Sequence, residues 1–247
     1  MSPPIFKPVQ SVASVVWSDN FNDGNYDGWT VYGINSYKYG RSVRTEGSFS
    51  AADGTLRATG EPTDEGNLWN YIEHPSTVAW GTWSFDVYIT DTPGHHFYVW
   101  FMINDWASFP LSAYGYDIAL FRREYALWKR AGDLAWGGTI VLDSVRIGLD
   151  QVYGWKHIDV TRDVDGQFFV YINGTLLLEK VDTEITTSTH FRFGTEAGPA
   201  LDNVVVSNTV DITPALATPE WLTISIGVPV VLVVIGAVWK WKLRRVS

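Results

Sequence analysis

Apolar and polar side chains alternate along many short stretches of this chain, with turn residues between them. From Gly154 to Arg162 the alternation has a period of two, the pattern of a half-buried strand. The segment 168–172 is aromatic and mostly β-branched, which is typical of a strand. Asp165-Gly166 and Asn173-Gly174 favour the positive φ angles of two-residue hairpin turns. Residues 154–181 therefore predict a three-stranded meander.

Similar patterns recur on both sides of this meander. The alternation predicts further strands from residue 15 onward, after residue 29, and over 55–59, 67–73, 81–90, 95–103, 115–122, 139–147, 189–194 and 201–207. We expect about a dozen short strands with turns between them, the pattern of an antiparallel β-sandwich. No amphipathic helix is predicted before residue 221.

The C-terminal region changes character at Trp221. The 18 residues from Trp221 to Val238 carry no charge, and as a helix they would span about 27 Å, close to the hydrocarbon thickness of a bilayer. Indoles at the two edges suit the membrane interface, and the basic residues that follow favour the cytoplasm. These anchoring residues are Trp221, Trp239, Lys240, Trp241, Lys242, Arg244 and Arg245. The region predicts one transmembrane helix rather than a buried core helix.

Five consecutive regions follow from these patterns. They are an extended lead-in (1–13), the β-sandwich (14–209), a Pro/Ala/Thr stalk (210–220), the transmembrane helix (221–241) and a basic tail (242–247). The N-terminus lacks the features of a signal peptide. A removed signal, a misplaced start or a tail anchor would each explain this, and a tail anchor would leave the domain inside the cell. The positive-inside rule favours a cell-membrane protein with its N-terminal domain outside and its C-terminus in the cytoplasm.

Charge and composition narrow the classes of function. Residues 1–220 contain all 27 acidic side chains but only 14 of the 18 basic ones, a net charge of −13. So acidic a surface repels phosphates, which excludes nucleic acid as a partner. Cysteine is absent, which rules out disulfides and thiolate metal sites. The 13 tryptophans exceed what a core needs, and exposed indoles suit sugar or peptide ligands.

Three segments of the sequence resemble a known superfamily. They are DNFNDGNYDGW (19–29), WKHIDVTRDVDGQFFVYINGT (155–175) and ALDNVVVS (200–207). Together they resemble the concanavalin A-like lectin/glucanase superfamily, and more closely its laminin-G-like jelly-roll modules. The resemblance implies an all-β jelly roll of two curved antiparallel sheets, with the first and last strands adjacent. It implies no single activity, because that superfamily contains lectins, glycosidases, adhesion modules and structural domains.

The resemblance to glucanases raises the question of catalysis. Those enzymes carry Glu-x-Asp-x-(x)-Glu on one strand, because a retaining mechanism needs two carboxylates about 5 Å apart. This sequence has no such motif. Asp86 with Asp91, and Asp159 with Asp163 and Asp165, have the wrong types or spacing, and the last two suit a turn. We expect a protein that is not an enzyme.

A structural calcium ion is a second expectation from the resemblance. Jelly-roll modules often bind one where the first and last strands meet. Asn22, Asp23 and Asp27 in an early loop and Asp202 in the closing strand would be its ligands here, since calcium prefers oxygen. The alternative is that these side chains only form Asx-turns. The adjacent His95 and His96 would point to opposite faces of a strand, so a shared metal is not expected there.

Aromatic residues in predicted loops are candidates for stacking on sugar rings. Trp69, Trp106, Tyr114 and Trp136 are the candidate ligand-binding residues, and the alternative is that they pack over the edge of the sandwich. Four other tryptophans lie within strand patterns and are interpreted as core: Trp83, Trp100, Trp128 and Trp155.

Asn173-Gly174-Thr175 is a glycosylation sequon, although Asn-Gly is also the preferred type I′ turn. The leading hypothesis is a membrane-anchored extracellular module that is non-catalytic and binds a glycan or a partner protein at the cell surface. One alternative is a structural subunit of a surface layer or larger membrane complex. Another is a glycoside-active enzyme without the usual carboxylate motif.

Overall fold

The computed structural model describes residues 14–35, 43–59, 68–90, 97–104, 114–121, 123–130, 139–148, 152–196 and 198–210. These residues form sixteen strands. They are β1 (Val15–Asp19), β2 (Thr30–Asn35), β3 (Val43–Thr45), β4 (Phe49–Ser50), β5 (Leu56–Ala58), β6 (Leu68–Pro75), β7 (Gly81–Ile89), β8 (Phe97–Asn104), β9 (Tyr114–Phe121), β10 (Glu124–Arg130), β11 (Thr139–Arg146), β12 (Gly154–Arg162), β13 (Gln167–Ile172), β14 (Thr175–Val181), β15 (His190–Thr195) and β16 (Ala200–Ser207).

The strands form two antiparallel sheets. The first sheet has the order β14-β13-β12-β7-β16-β5-β4, and β1 pairs with the last residues of β16. The second sheet has the order β11-β10-β9-β8-β15-β6-β2-β3. The pairing of β1 with β16 places the first and last strands side by side, as the resemblance implied. The predicted two-sheet antiparallel sandwich is confirmed.

The core lies between the sheets and follows from the period of two. Along β7 buried and half-buried residues alternate without interruption, and Trp83, Phe85 and Val87 are completely buried. On the second sheet Val99, Ile118 and Phe193 point into the same core. At about 25 cal/mol for each Å² of apolar surface removed from water, these large side chains supply most of the stabilisation.

The two turns of the meander differ from each other. Asn173 and Gly174 have φ angles of +49° and +74°, the two positive values of a type I′ turn. In the other turn only Gly166 has a positive φ, of +81°, so the prediction of a two-residue hairpin there was wrong. Asp163 instead accepts backbone hydrogen bonds from Asp165 and Gln167, both at 2.9 Å, and caps a wider turn. Its predicted role as a turn residue is confirmed.

The segment 182–189 crosses from β14 to β15 and closes one end of the sandwich. Lys129 donates to one carboxylate oxygen of Asp182 at 2.6 Å, and the Tyr116 hydroxyl donates to the other at 2.5 Å. Arg162 donates to the Asp182 carbonyl oxygen at 3.1 Å. The Lys129 side chain is only 5% exposed. Lys129 also contacts the more exposed Glu184 at 3.0 Å. Because Lys129 and Asp182 are both withdrawn from water, losing Asp182 would leave the buried lysine with only this solvent-exposed partner.

The predicted transmembrane segment lies outside the described residues, as do the lead-in and nearly all of the stalk. Among the residues that are described, no helix has the length and hydrophobicity needed to cross a membrane.

Candidate functional site

Strand β8 lies in the middle of the second sheet and is apolar on both of its faces. Residues 97–103 are all buried. Val99 and Phe101 point into the core, whereas Tyr98 and Trp100 belong to a separate cluster on the opposite face. A half-solvated sheet would have polar residues there. The outer face of the second sheet is therefore built differently from an ordinary solvent-facing surface.

We call this cluster the aromatic face and define it by Trp69, Tyr71, Tyr98, Trp100 and Trp128. The ring centroids of Trp69 and Tyr98 lie 5.3 Å apart, those of Tyr71 and Trp100 5.7 Å, and those of Tyr98 and Trp128 5.6 Å. Tyr98 and Trp100 are 7% exposed, and the other three residues are partly buried. Tyr98 and Trp100 form the floor of the face, and Trp69, Tyr71 and Trp128 form its partly accessible rim.

Gly194 on β15 allows the rings of Tyr71 and Trp100 to pack over the backbone of that strand. It lies opposite Tyr71 on β6 and opposite Tyr98 on β8. A Cβ atom at Gly194 would lie 2.5 Å from the Tyr71 ring and 2.8 Å from the Trp100 ring. Carbon atoms at ordinary contact are about 3.5–4.0 Å apart, so only glycine permits this approach. The glycine is needed for its missing side chain rather than for an unusual φ angle.

Two ion pairs border the aromatic face. Arg192 donates two hydrogen bonds to one oxygen of Glu73, at 2.7 and 3.1 Å, and its guanidinium lies 5.7 Å from the Trp100 ring centre. Arg130 donates to Asp117 at 2.7 Å and lies 4.6 Å from the Trp128 ring centre. Both cations are thus engaged by a carboxylate and by aromatic rings.

Several polar atoms of this face are buried without a hydrogen-bond partner in the described part of the chain. They are the indole nitrogens of Trp100 and Trp128 and one carboxylate oxygen of Asp117. Burial raises the pKa of Asp117 even though Arg130 opposes the shift, and burial raises the pKa of Tyr98 to about 12. Buried polar atoms are normally paired, so unpaired ones indicate a place where water or a ligand supplies the partner.

The structure divides the predicted ligand-binding residues. Trp69 lies in the aromatic face, at its rim. Tyr114 is 53% exposed but begins β9 opposite Asn104, away from this face. Trp106 and Trp136 lie outside the described residues, so their role stays a prediction.

Interpreting the strand tryptophans as core is correct for Trp83 and for Trp100, which is buried in the second cluster, whereas Trp128 is only partly buried and the interpretation is wrong for Trp155. Trp83 is completely buried between the sheets. Trp100 and Trp128 lie on the aromatic face, and Trp155 is 44% exposed on the outer face of the first sheet, where it contacts Tyr88. Alternation assigns a residue to one of two faces, but it does not say which face is the core when both carry aromatics. Two predicted strands that each carry an aromatic pair two residues apart, Trp69/Tyr71 and Tyr98/Trp100, are a signal that could have found this site.

A polar cluster lies on the outer face of the first sheet. The two ring nitrogens of His157 contact different carboxylates, Nδ1 with Asp86 at 2.6 Å and Nε2 with Asp159 at 3.3 Å. Hydrogen bonds that His157 donates to Asp159 and Asp86 raise its pKa to about 10. Burial alone would raise the pKa of both acids, but their bonds to the imidazolium prevail and lower it. Sequence reasoning missed this cluster, because β7 and β12 are far apart along the chain.

The raised pKa of His157 makes the free energy of unfolding depend on pH. Folded His157 holds its proton more tightly than the unfolded chain does, whose histidine pKa is about 6.5. The stabilisation is therefore complete below about pH 6.5 and is lost as the pH rises toward 10. The two aspartates contribute stability above their ordinary pKa of 3.8, which is lost as the pH falls through their lowered values.

The proposed calcium ligands come together only in part. Strand β1 leads into the early loop and places Asp19 opposite Val204, so the loop does approach Asp202. The loop side chains form successive Asx-turns: Asn22 donates its backbone N–H to Asn20, and Asp23 accepts from the backbone N–H of Asn25. The backbone N–H of Asp27 is bonded to Asn25 in the same way.

The described residues contain no group of three or more histidine or acidic side chains placed to hold a metal ion. Burial and the nearby carboxylates of Asp86, Asp19 and Asp53 raise the pKa of Asp202. Calcium therefore stays a prediction without a complete set of protein ligands.

Asn173, the predicted glycosylation residue, is exposed at the tip of the β13–β14 turn. Its side-chain oxygen accepts a hydrogen bond from the backbone of His157 at 2.9 Å. The turn interpretation of Asn-Gly is thus correct, and glycosylation stays a prediction.

The carboxylates bonded to the two arginines lie on different strands of the second sheet. Asp117 and Glu73 lie in one row across β9, β8, β15 and β6. Three strand spacings of about 4.8 Å separate their backbones by about 14 Å. What this face offers chemically is aromatic surface and hydrogen-bonding groups.

Several solved structures share this two-sheet antiparallel jelly-roll architecture. The chain is similar to the carbohydrate recognition domain of Emp46p, with a TM-score of 0.58, 9% identity, and coverage of 78% of this chain and 97% of that one. It is similar to a laminarinase from Flavobacterium sp. UMI-01 (TM-score 0.57, 13% identity, 78% and 100% coverage). It also resembles a Bacillus subtilis protein of unknown function with a galectin-like fold (0.54, 14%, 81% and 99%).

Identities this low establish the fold alone. No protein-family model matches the sequence, and no curated protein does. The predicted jelly-roll fold is therefore confirmed, whereas membership of the superfamily stays a prediction, and function has to be argued from the site.

Proposed function

We propose that this chain is a non-catalytic glycan-binding module whose ligand lies on the aromatic face of the second sheet. The observation that carries the proposal is a cluster of five aromatic residues on the face opposite the core, Trp69, Tyr71, Tyr98, Trp100 and Trp128. Sugar rings present C–H faces that stack on such side chains, while their hydroxyls form hydrogen bonds. A carbohydrate recognition domain and a laminarinase share the fold, which supports this class of ligand.

The charges around the face favour a neutral glycan. Arg192 is already bonded to Glu73, and Arg130 is already bonded to Asp117. An acidic sugar would have to break one of these pairs and leave a buried carboxylate without its partner, which is costly. A neutral sugar needs no such exchange, and its hydroxyls can both donate and accept hydrogen bonds.

The absence of catalysis is part of the proposal. A glycosidase needs two carboxyl groups that flank the sugar bond, one of them kept protonated. Among the described residues, Asp117 and Glu73 lie three strand spacings apart, on β9 and β6, and both are bonded to arginines. Hydrolysis of any glycan that the module binds would contradict this part.

A glycan array probed with the full-length chain tests the proposal. We expect binding to at least one neutral glycan, and we expect Trp69→Ala and Trp128→Ala each to weaken it by about 30-fold, the effect of losing a central aromatic contact. Trp155→Ala is the matched control, because Trp155 is equally a surface indole but lies on the other sheet. Binding to no glycan by a folded chain would refute the proposal, as would an equal loss in the control.

We further propose that the module is anchored in the cell membrane and faces outward. Support comes from the uncharged run Trp221–Val238 followed by four basic residues. Resistance to alkaline extraction from membranes, and cleavage of the domain by protease added to intact cells, are the expected results. Release at alkaline pH, or protection from external protease, would contradict the proposal.

A further inference from the structure

A groove of about 530 Å³ lies at the end of the sandwich where chain segments cross between the two sheets. One wall is the segment before β7, which includes Val78 and Trp80, and the other is the segment before β15. Val16 of β1 also lines it. Pockets that hold small ligands have volumes of roughly 300–1,000 Å³, so the groove has the size of a binding site. It shares no lining residue with the aromatic face.

The lining of the groove combines one indole with a row of hydroxyl groups. Trp80 is 45% exposed, an unusual position for so large an apolar side chain. Thr186, Thr187 and Ser188 contribute hydroxyls from the facing wall. None of the lining residues, all of which the structure describes, carries a charge.

This chemistry selects one class of ligand. A charged ligand would lose its hydration without gaining a counter-ion, and a purely apolar ligand would cover the hydroxyls without satisfying them. A neutral saccharide avoids both costs, because it places a C–H face on the indole and its own hydroxyls against those of the threonines.

The walls of the groove are held in place by bonds to both sheets. Asn104 donates to the Thr187 hydroxyl oxygen at 2.7 Å, and the backbone N–H of Ile103 donates to the Ser188 hydroxyl oxygen at 3.4 Å. On the other wall Arg162 donates to the carbonyl oxygen of Ala79 at 2.7 Å. A pre-formed site spends less binding energy on ordering itself.

We propose that this groove is a second saccharide-binding site, with Trp80 as the stacking platform and Thr186 and Thr187 as hydrogen-bonding partners. It would accept a single neutral sugar unit. It stands independently of the aromatic face, and either site could exist without the other.

The test is ¹⁹F NMR of the full-length chain with 5-fluorotryptophan in place of its 13 tryptophans. The signals of Trp80, Trp69 and Trp128 are assigned by single Trp→Phe variants. Glucose, galactose, mannose and N-acetylglucosamine are titrated through the millimolar range, where weak single-sugar binding saturates. Glucuronate is the charged control.

We expect the Trp80 signal to shift saturably with at least one neutral sugar and less with glucuronate. Thr187→Val, which keeps the shape but removes the hydroxyl, should weaken that response about five-fold. A Trp80 signal that responds to no neutral sugar overturns the inference, including the case in which other parts of the chain fill the groove. If only Trp69 and Trp128 respond, the groove is excluded while the aromatic face stands. If only Trp80 responds, the aromatic face is excluded as a site for these sugars while the groove stands.

Discussion

Gly194→Ala tests the aromatic face at the point where its geometry is tightest. The new methyl group would lie 2.5 Å and 2.7 Å from two Tyr71 ring carbons and 2.8 Å from a Trp100 carbon. Each ring would have to move by about 1 Å to reach ordinary contact. Trp100 is 7% exposed and packs on Tyr98 and Tyr71, so neither ring moves without disturbing the next.

Two opposing effects set the size of the change. Overpacking of a well-packed cluster costs about 1–3 kcal/mol. Replacing glycine by alanine in a strand contributes about 0.5–1 kcal/mol of stability, because the unfolded chain has less freedom to lose. We therefore expect a net loss of about 0.5–2 kcal/mol in the free energy of unfolding, measured as a lower urea midpoint. Glycan affinity should fall as well, because Tyr71 is pushed from its position.

A double variant separates the clash from other effects. Tyr71→Leu removes the ring carbons nearest to the new methyl group, so Gly194→Ala should cost less in that background than in the parent. If Gly194→Ala leaves the protein as stable as before or makes it more stable, the rings do not close over β15 as described, and the reasoning is wrong.

Three further predictions concern the rest of the sandwich. The free energy of unfolding should fall by about 1–2 kcal/mol between pH 6.5 and pH 10, a figure reduced for solvent screening because His157 is 43% exposed. His157→Gln should make the free energy of unfolding less dependent on pH in this range. A variant with the same pH dependence as the parent would refute the assigned contacts. Gly166→Ala should destabilise by at least about 1 kcal/mol more than Gly154→Ala in urea titrations. Their φ angles are similar, at +81° and +85°, but only a methyl group at residue 166 would meet a backbone oxygen, at 2.6 Å. Equal losses of unfolding free energy in the two variants would contradict this. Asp182→Ala should cost about 2 kcal/mol in the same assay, because the Tyr116 hydroxyl loses its acceptor and the buried Lys129 keeps only the exposed Glu184. Asp53→Ala, from an exposed pair, should cost under about 0.5 kcal/mol, and similar costs would count against the buried network.

Most strands could be predicted from the sequence, because one buried face imposes a period of two. The segment 81–89 shows this, with every second residue buried. Strand β10 (Glu124–Arg130) was missed. Its Glu, Ala, Leu, Lys and Arg residues are strong helix formers, and only pairing with β9 and β11 keeps this segment extended.

The candidate sites were harder to predict, because they depend on register between distant strands. Trp69 could be singled out as an aromatic residue, but Tyr98, which it contacts, and Trp128, which contacts Tyr98, come from strands far along the chain. The carboxylates around His157 looked unrelated in the sequence, since the spacing along one strand carries no information about pairing across strands. No local feature of the sequence indicates which strands become neighbours in a sheet.

The same dependence on register makes the aromatic face testable through its backbone. Gly194 lies between Tyr71 and Trp100 only because β15 pairs with β6 and β8 in the observed alignment. A shift of one residue would place Phe193 or Thr195 there and send the glycine to the other face. Phe193 is one of the fully buried core residues, so the shift would also remove a large side chain from the core. The packing of the core and the opening for the two rings thus specify one alignment, and a steric effect at Gly194 would support both the fold and the site.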